Sequence, residues 1–156
     1  MQWDEVINNP LLRELPFKIE LNKFGKLLMS PASNHHGRSQ MRIGQQLFKH
    51  LPQGEVIAEC SIETPDGVKV ADVAWASPAF IDQYGYQTPY PVAPELCIEI
   101  VSPSNSKLEI VEKVKLYLGQ GATEVWVVYD NGKILTFDES GELPQSKLAA
   151  DAQQIE

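Results

Sequence analysis

The sequence predicts an α/β fold, an α+β mixed sheet flanked by helices, from three observations. The run ELCIEIVS at 95–102 is almost wholly apolar, as a strand buried on both faces must be. It leads into a helical pattern at 106–120 and then into EVWVVYD, a strand–helix–strand order. Turn signals at Asn22–Gly25, Pro65-Asp66-Gly67 and Asp130-Asn131-Gly132 join strand-like runs into antiparallel hairpins. A sheet that combines these pairings is mixed and needs helices to cover it.

Taken in order, residues 2–8 make a short helix stopped by Asn8-Asn9-Pro10. FKIELNKFGKLLMS makes two strands. Ser30-Pro31-Ala32-Ser33-Asn34 is turn chemistry, with Ser33 or Asn34 as N-cap of a helix that runs to about His50 and stops before Pro52. GEVIAECSIET and VKVADVAWA make the next hairpin. Residues 78–94 carry four prolines and form a long irregular connection with a short helix at Pro78–Tyr84. The helix at 106–120 ends at Gly119–Gly121, and EVWVVYD and KILTFD are the last clear strands. From about 140 the chain is polar and weakly patterned. We expect one domain over residues 1–156, a length that suits a single core.

Composition narrows the function. No apolar run approaches the ~18 residues of a membrane helix. The start, MQWDEVINNP, lacks the basic and apolar regions of a secretory signal. Cys60 and Cys97 lie in strand-like runs and are read as two buried thiols, which suits a reducing, cytoplasmic setting, with a disulfide between them as the alternative. No Cys/His cluster has zinc spacing. The net charge of −8 opposes nucleic-acid binding, yet no acid occurs between Glu20 and Glu55. That stretch holds Lys23, Lys26, Arg38, Arg42, Lys49 and the histidines His35, His36 and His50. At about 100° per residue, Arg38, Arg42 and Lys49 share a narrow arc of one helix, either phosphate-contacting or solvated.

Two carboxylates interrupt apolar strands: Asp72 in VKVADVAWA and Glu99 in LCIEIV. A buried carboxylate is unfavourable by several kcal/mol unless it is paired or metal-bound. On neighbouring strands the two acids would converge on one divalent cation with hard oxygen ligands. The alternative is that each marks a sheet edge or pairs with lysine or arginine.

The segment after Glu99 adds a specific pattern. Asp72, Glu99, Ser102-Pro103-Ser104, Lys113, Tyr117, Gly121, Glu124 and Trp126 occur in the order and spacing of the Uma-two family of restriction-endonuclease-like proteins, a group common in bacteria, and the chain resembles that family over roughly residues 15 to 138. Met29-Ser-Pro-Ala-Ser followed by His36 resembles its entry to the first helix. The chain departs from the pattern at Ala71, where the Pro of Pro-Asp would stand, at Glu109 in place of Asp, and in ending without the family's apolar C-terminal segment. Val101 stands where the E-x-K motif has lysine.

The resemblance implies a restriction-endonuclease-like core of the PD-(D/E)xK class and a metal-dependent DNA endonuclease that hydrolyses phosphodiesters. Mg²⁺ or Mn²⁺ would be held by Asp72, Glu99 and the backbone carbonyl of Ile100, with Lys113 as the catalytic amine. His36, Arg38, Arg42 and Lys49 would contact nucleic acid. A homodimer would set two sites against two strands. Other readings stay open: Lys113 as a solvated cation paired with Glu109, His36 as a helix-start histidine satisfied by the backbone, and the whole chain as a non-cleaving nucleic-acid-binding or regulatory protein. Trp126 and Tyr117 read as core.

Overall fold

Alternating apolar residues and tight turns build two sheets in the computed structural model, which describes residues 1–31, 33–103 and 105–154. Ala32 and Ser104, which the sequence places in the turns before the two longer helices, lie outside the described residues. The chain opens with α1 (Trp3–Asn8) and a further helical turn, α2 (Pro10–Arg13). The Asn9-Pro10 stop of α1 also starts α2: the Asn9 side chain accepts from the Leu11 amide, and Pro10 needs no amide partner at the first helical position.

β1 (Phe17–Leu21) and β2 (Leu27–Pro31) form a separate two-stranded antiparallel sheet. It packs on the main sheet through β1, where Glu20 Oε2 accepts from the Val70 amide at 2.7 Å. Gly67 permits the approach. Its φ is 82°, and a Cβ there would lie 2.4 Å from the Leu21 carbonyl oxygen.

The six-stranded sheet runs in the order β3 (Glu55–Thr64), β4 (Gly67–Ala76), β5 (Leu96–Ile100), β6 (Glu124–Val128), β7 (Ile134–Asp138) and β8 (Gly141–Leu143). Among the described strands of this sheet only β5 and β6 pair in parallel, across the helix α5 (Lys107–Gly119). Helix α3 (Asn34–His50) lays Ile43 and Leu47, one turn apart, against Val73, Ile98 and Trp126 on one face. On the other face, α5 sets Ile110, Val114 and Tyr117 against Cys97, Val125 and Val127, with Phe80 of α4 (Pro78–Tyr84) in the same cluster. Cys60 and Cys97 are free and buried there, and burial pushes the Cys60 thiol up to about 12. Among the described residues no helix is long and apolar enough to cross a membrane.

The polar end of the chain departs from its sequence pattern. It adds the edge strand β8 and a 3-10 turn at Ala150–Gln153, and it buries Ser146, Ala149 and Ala152. The anchor is Glu124, 1% exposed at the start of β6. Its carboxylate accepts from Trp126 Nε1, Ser146 Oγ and the amides of Lys147 and Leu148 at 2.6–3.1 Å. Charge-assisted bonds to a long-range carboxylate leave no periodic signature in the segment they hold.

Candidate active site

β4 and β5 are antiparallel with Val73 opposite Ile98, so the next step along both strands sets Asp72 beside Glu99. Asp72 Oδ2 accepts from the Ile100 amide at 2.7 Å, which holds that carboxylate across the strand end. The two acids are 1% and 2% exposed, and cations offset their burial. Lys18 Nζ lies 3.0 Å from Asp72 Oδ1 and 3.4 Å from Glu99 Oε2. Lys113 Nζ lies 3.3 Å from Glu99 Oε2 and 2.9 Å from Glu20 Oε1. Tyr117 donates its hydroxyl to Glu99 Oε1 at 2.7 Å, and His36 Nε2 lies 3.2 Å from Asp72 Oδ1. Three buried carboxylates thus face two ammonium groups and one imidazole.

Each side chain arrives for a local reason. Ser33 caps α3 by accepting from the His36 amide, which places His36 at the helix start beside Asp72. Lys113 and Tyr117 are one turn apart on α5, so both reach Glu99 while Val114 faces the core. Lys115 is exposed. Glu109 does not pair with Lys113: its carboxylate accepts from the Ser106 amide in a capping box.

The electrostatics separate the two strand acids. Burial works to raise Asp72, but the His36 hydrogen bond, the Lys18 charge and the Ile100 amide hold it well below the usual carboxylate range. Burial dominates at Glu99 and pushes it up, against the pull of Lys113 and Lys18. Burial also disfavours a charged Lys18, yet Glu99, Asp72 and Glu20 together raise it and keep the ammonium. Hydrogen bonding to Asp72 raises His36.

A cavity of about 320 Å³ opens over these groups, lined by Lys18, Ser30, Ser33, His36, Gln40, Glu59, Asp72, Glu99, Ile100, Ser102 and Lys113 among others. Asp72, Glu99, Ile100, Lys113 and His36, all singled out from the sequence, therefore share one cleft. Arg38, Arg42 and Lys49 do not line it. They are exposed on α3, and none forms an ion pair among the described residues. The amine in contact with both Asp72 and Glu99 is that of Lys18, while Lys113 joins Glu99 to Glu20.

Sequence reasoning missed Lys18, Glu20 and Glu59. FKIEL held a usable signal, because Lys18 and Glu20 alternate with Ile19 and Leu21 and must share one face. Glu59 had none. It lies on β3 with φ 53°, takes a hydrogen bond from Gln40 at 2.8 Å, and has a carboxylate oxygen within 4.8 Å of a ring nitrogen of His36 and a carboxylate oxygen of Asp72. Tyr117 is core, as its pattern implies, and is also a hydrogen-bond donor to Glu99.

A mixed sheet in which Asp72, midway along β4, meets Glu99, near the end of β5, is that of a restriction-endonuclease-like domain. Among solved structures the chain is similar to a protein titled a putative nuclease belonging to DUF820, from Anabaena variabilis, with TM-score 0.63 and 18% identity over 85% of this chain and 84% of that one. Residues 5–153 match the family described as "Uma2: Putative restriction endonuclease", and the chain belongs to that family. No curated protein matches it. Family and fold together support a nuclease.

Proposed function

We propose that the protein is a divalent-metal-dependent DNA endonuclease that hydrolyses phosphodiester bonds at the Asp72–Glu99 cleft. The observation that carries this reading is the shared cation: two buried carboxylates on adjacent strands already hold one positive charge between them. That donor set fits a hard divalent ion, with carboxylate oxygens as ligands and a polar cleft for the waters that Mg²⁺ keeps. Asp72, Glu99 and the Ile100 carbonyl would hold Mg²⁺ or Mn²⁺. When bound, such an ion supplies a water of lowered pKa and neutralises charge at the phosphate.

The remaining steps belong to side chains of the chain. Lys113 fixes Glu99 and offers an ammonium to the attacking water or a phosphate oxygen. His36, whose Nε2 lies 3.2 Å from Asp72 Oδ1, lines the cleft and would donate to a non-bridging phosphate oxygen. Tyr117 orients Glu99 from within the core. Arg38, Arg42 and Lys49 lie outside the cleft and suit the flanking backbone.

The test is nicking of supercoiled plasmid with Mg²⁺ or Mn²⁺ and with EDTA, wild type beside Asp72→Ala. Metal-dependent nicking that falls by roughly a hundredfold or more in the variant supports the proposal. Equal traces from wild type and Asp72→Ala would leave a nucleic-acid-binding protein that keeps the fold without cutting. That second reading draws on the net charge of −8 and on acids already paired with lysines.

The arginine face has its own test. Arg38→Glu together with Arg42→Glu should weaken duplex binding and make its log–log salt dependence shallower by about 2, one for each phosphate no longer neutralised. An unchanged slope in fluorescence anisotropy titrations would place the DNA elsewhere.

A further inference from the structure

We propose that Lys18 is a built-in counter-ion that competes with the divalent cation for Asp72 and Glu99, so that its release sets how readily the site takes metal. The inference rests on the reading of those two acids as metal ligands. Among the described residues Lys18 alone contacts both carboxylates, at 3.0 Å from Asp72 Oδ1 and 3.4 Å from Glu99 Oε2. Lys113 is held differently, because Glu20 at 2.9 Å gives it a partner outside the pair.

A metal ion bridging Asp72 and Glu99 competes with the one ammonium that already bridges them. Mg²⁺ binds carboxylate oxygen at about 2.0–2.1 Å, and an ammonium on the same lone pairs would place like charges a few ångströms apart. Metal entry therefore moves Lys18. The fold allows this: the residue belongs to β1 of the small sheet rather than to the main sheet, its side chain is 12% exposed, and it lines the cavity. Without metal the ammonium also stabilises the fold around the two acids, since it neutralises carboxylates that would otherwise repel each other in a buried setting. Lys18 thus strengthens the metal-free fold and weakens the first binding step.

The experiment titrates the full chain with Mn²⁺ by isothermal calorimetry, without nucleic acid, for wild type, Lys18→Met, Lys18→Gln and Asp72→Asn. Thermal melting in EDTA and in Mn²⁺ accompanies it. Lys18→Met should bind Mn²⁺ about tenfold or more tightly than wild type, melt lower in EDTA, and gain more on metal addition. Should Lys18→Met not fold without metal, Lys18→Gln carries the titration, because it keeps a donor for the carboxylates and lacks the charge. Wild-type binding that needs Asp72 but is unchanged or weakened by the Lys18 substitutions overturns the Lys18 inference alone. Absence of Mn²⁺ binding in every variant, or binding that survives Asp72→Asn, overturns the metal site and this inference with it.

Discussion

Lys113→Ala is expected to abolish cleavage and to destabilise the protein by about 3–5 kcal/mol, the range for removing one partner of a buried ion pair. The Lys113 ammonium sits between Glu20 and Glu99, whose side chains are 6% and 3% exposed. Its loss leaves one acid with no ammonium contact and the other with Lys18 alone. From the sequence this variant is expected to keep its fold, since Lys113 reads as a helix-margin lysine; its pairing from α5 with Glu20 of the small sheet changes that expectation. Urea denaturation gives the stability, and nicking is measured at a temperature where circular dichroism shows the variant folded. Lys115→Ala removes an exposed lysine on the same helix and should leave both quantities near wild type. The reverse pattern, with Lys115 essential and Lys113 dispensable, would show the family motif placed out of register on α5.

Glu124→Ala should cost about 4 kcal/mol and release the end of the chain from the sheet. Four donors converge on this carboxylate: two on Oε2, from Trp126 and Ser146, and two on Oε1, from the Lys147 and Leu148 amides. Stranded buried donors are unfavourable by about 1–3 kcal/mol each, and some would be rehydrated as the end of the chain lifts. Glu124→Gln should rescue little, because its amide nitrogen must face two donors. Hydrogen exchange at Lys147 and Leu148 should speed up in both variants. Slow exchange and a wild-type urea midpoint in Glu124→Ala would mean that apolar packing of Ala149 and Ala152 anchors this segment unaided. The Glu of Gly-x-x-Glu is on this account a structural clamp, three residues along β6 from Val127, the strand partner of Glu99.

Most elements were legible in the sequence because their signals are local. The apolar run at Leu96–Ile100, the helical pattern behind Lys107–Gly119 and the Pro65-Asp66-Gly67 turn each involve neighbours a few residues apart. Asp72 and Glu99 stood out for the same reason, since a carboxylate in an apolar strand is a local contradiction. Within the candidate site, the sequence by itself placed Asp72 and Glu99 in apolar strands, and the spacing of the family pattern picked Lys113 on the following helix.

Only the tertiary structure decided what those acids touch. Lys18 meets Asp72 across 54 positions and Glu99 across 81, through a hairpin whose approach depends on Gly67 having no side chain. Glu59 enters the cleft through a positive φ that its neighbours in the sequence do not announce. The end of the chain docks because Glu124 collects its amides from 23 and 24 positions away. Ion pairs and carboxylate–amide bonds between distant segments have no period and no fixed spacing. They are set by how sheets and hairpins pack, and composition alone cannot assign a buried acid to one cation among the 13 lysines and arginines of the chain.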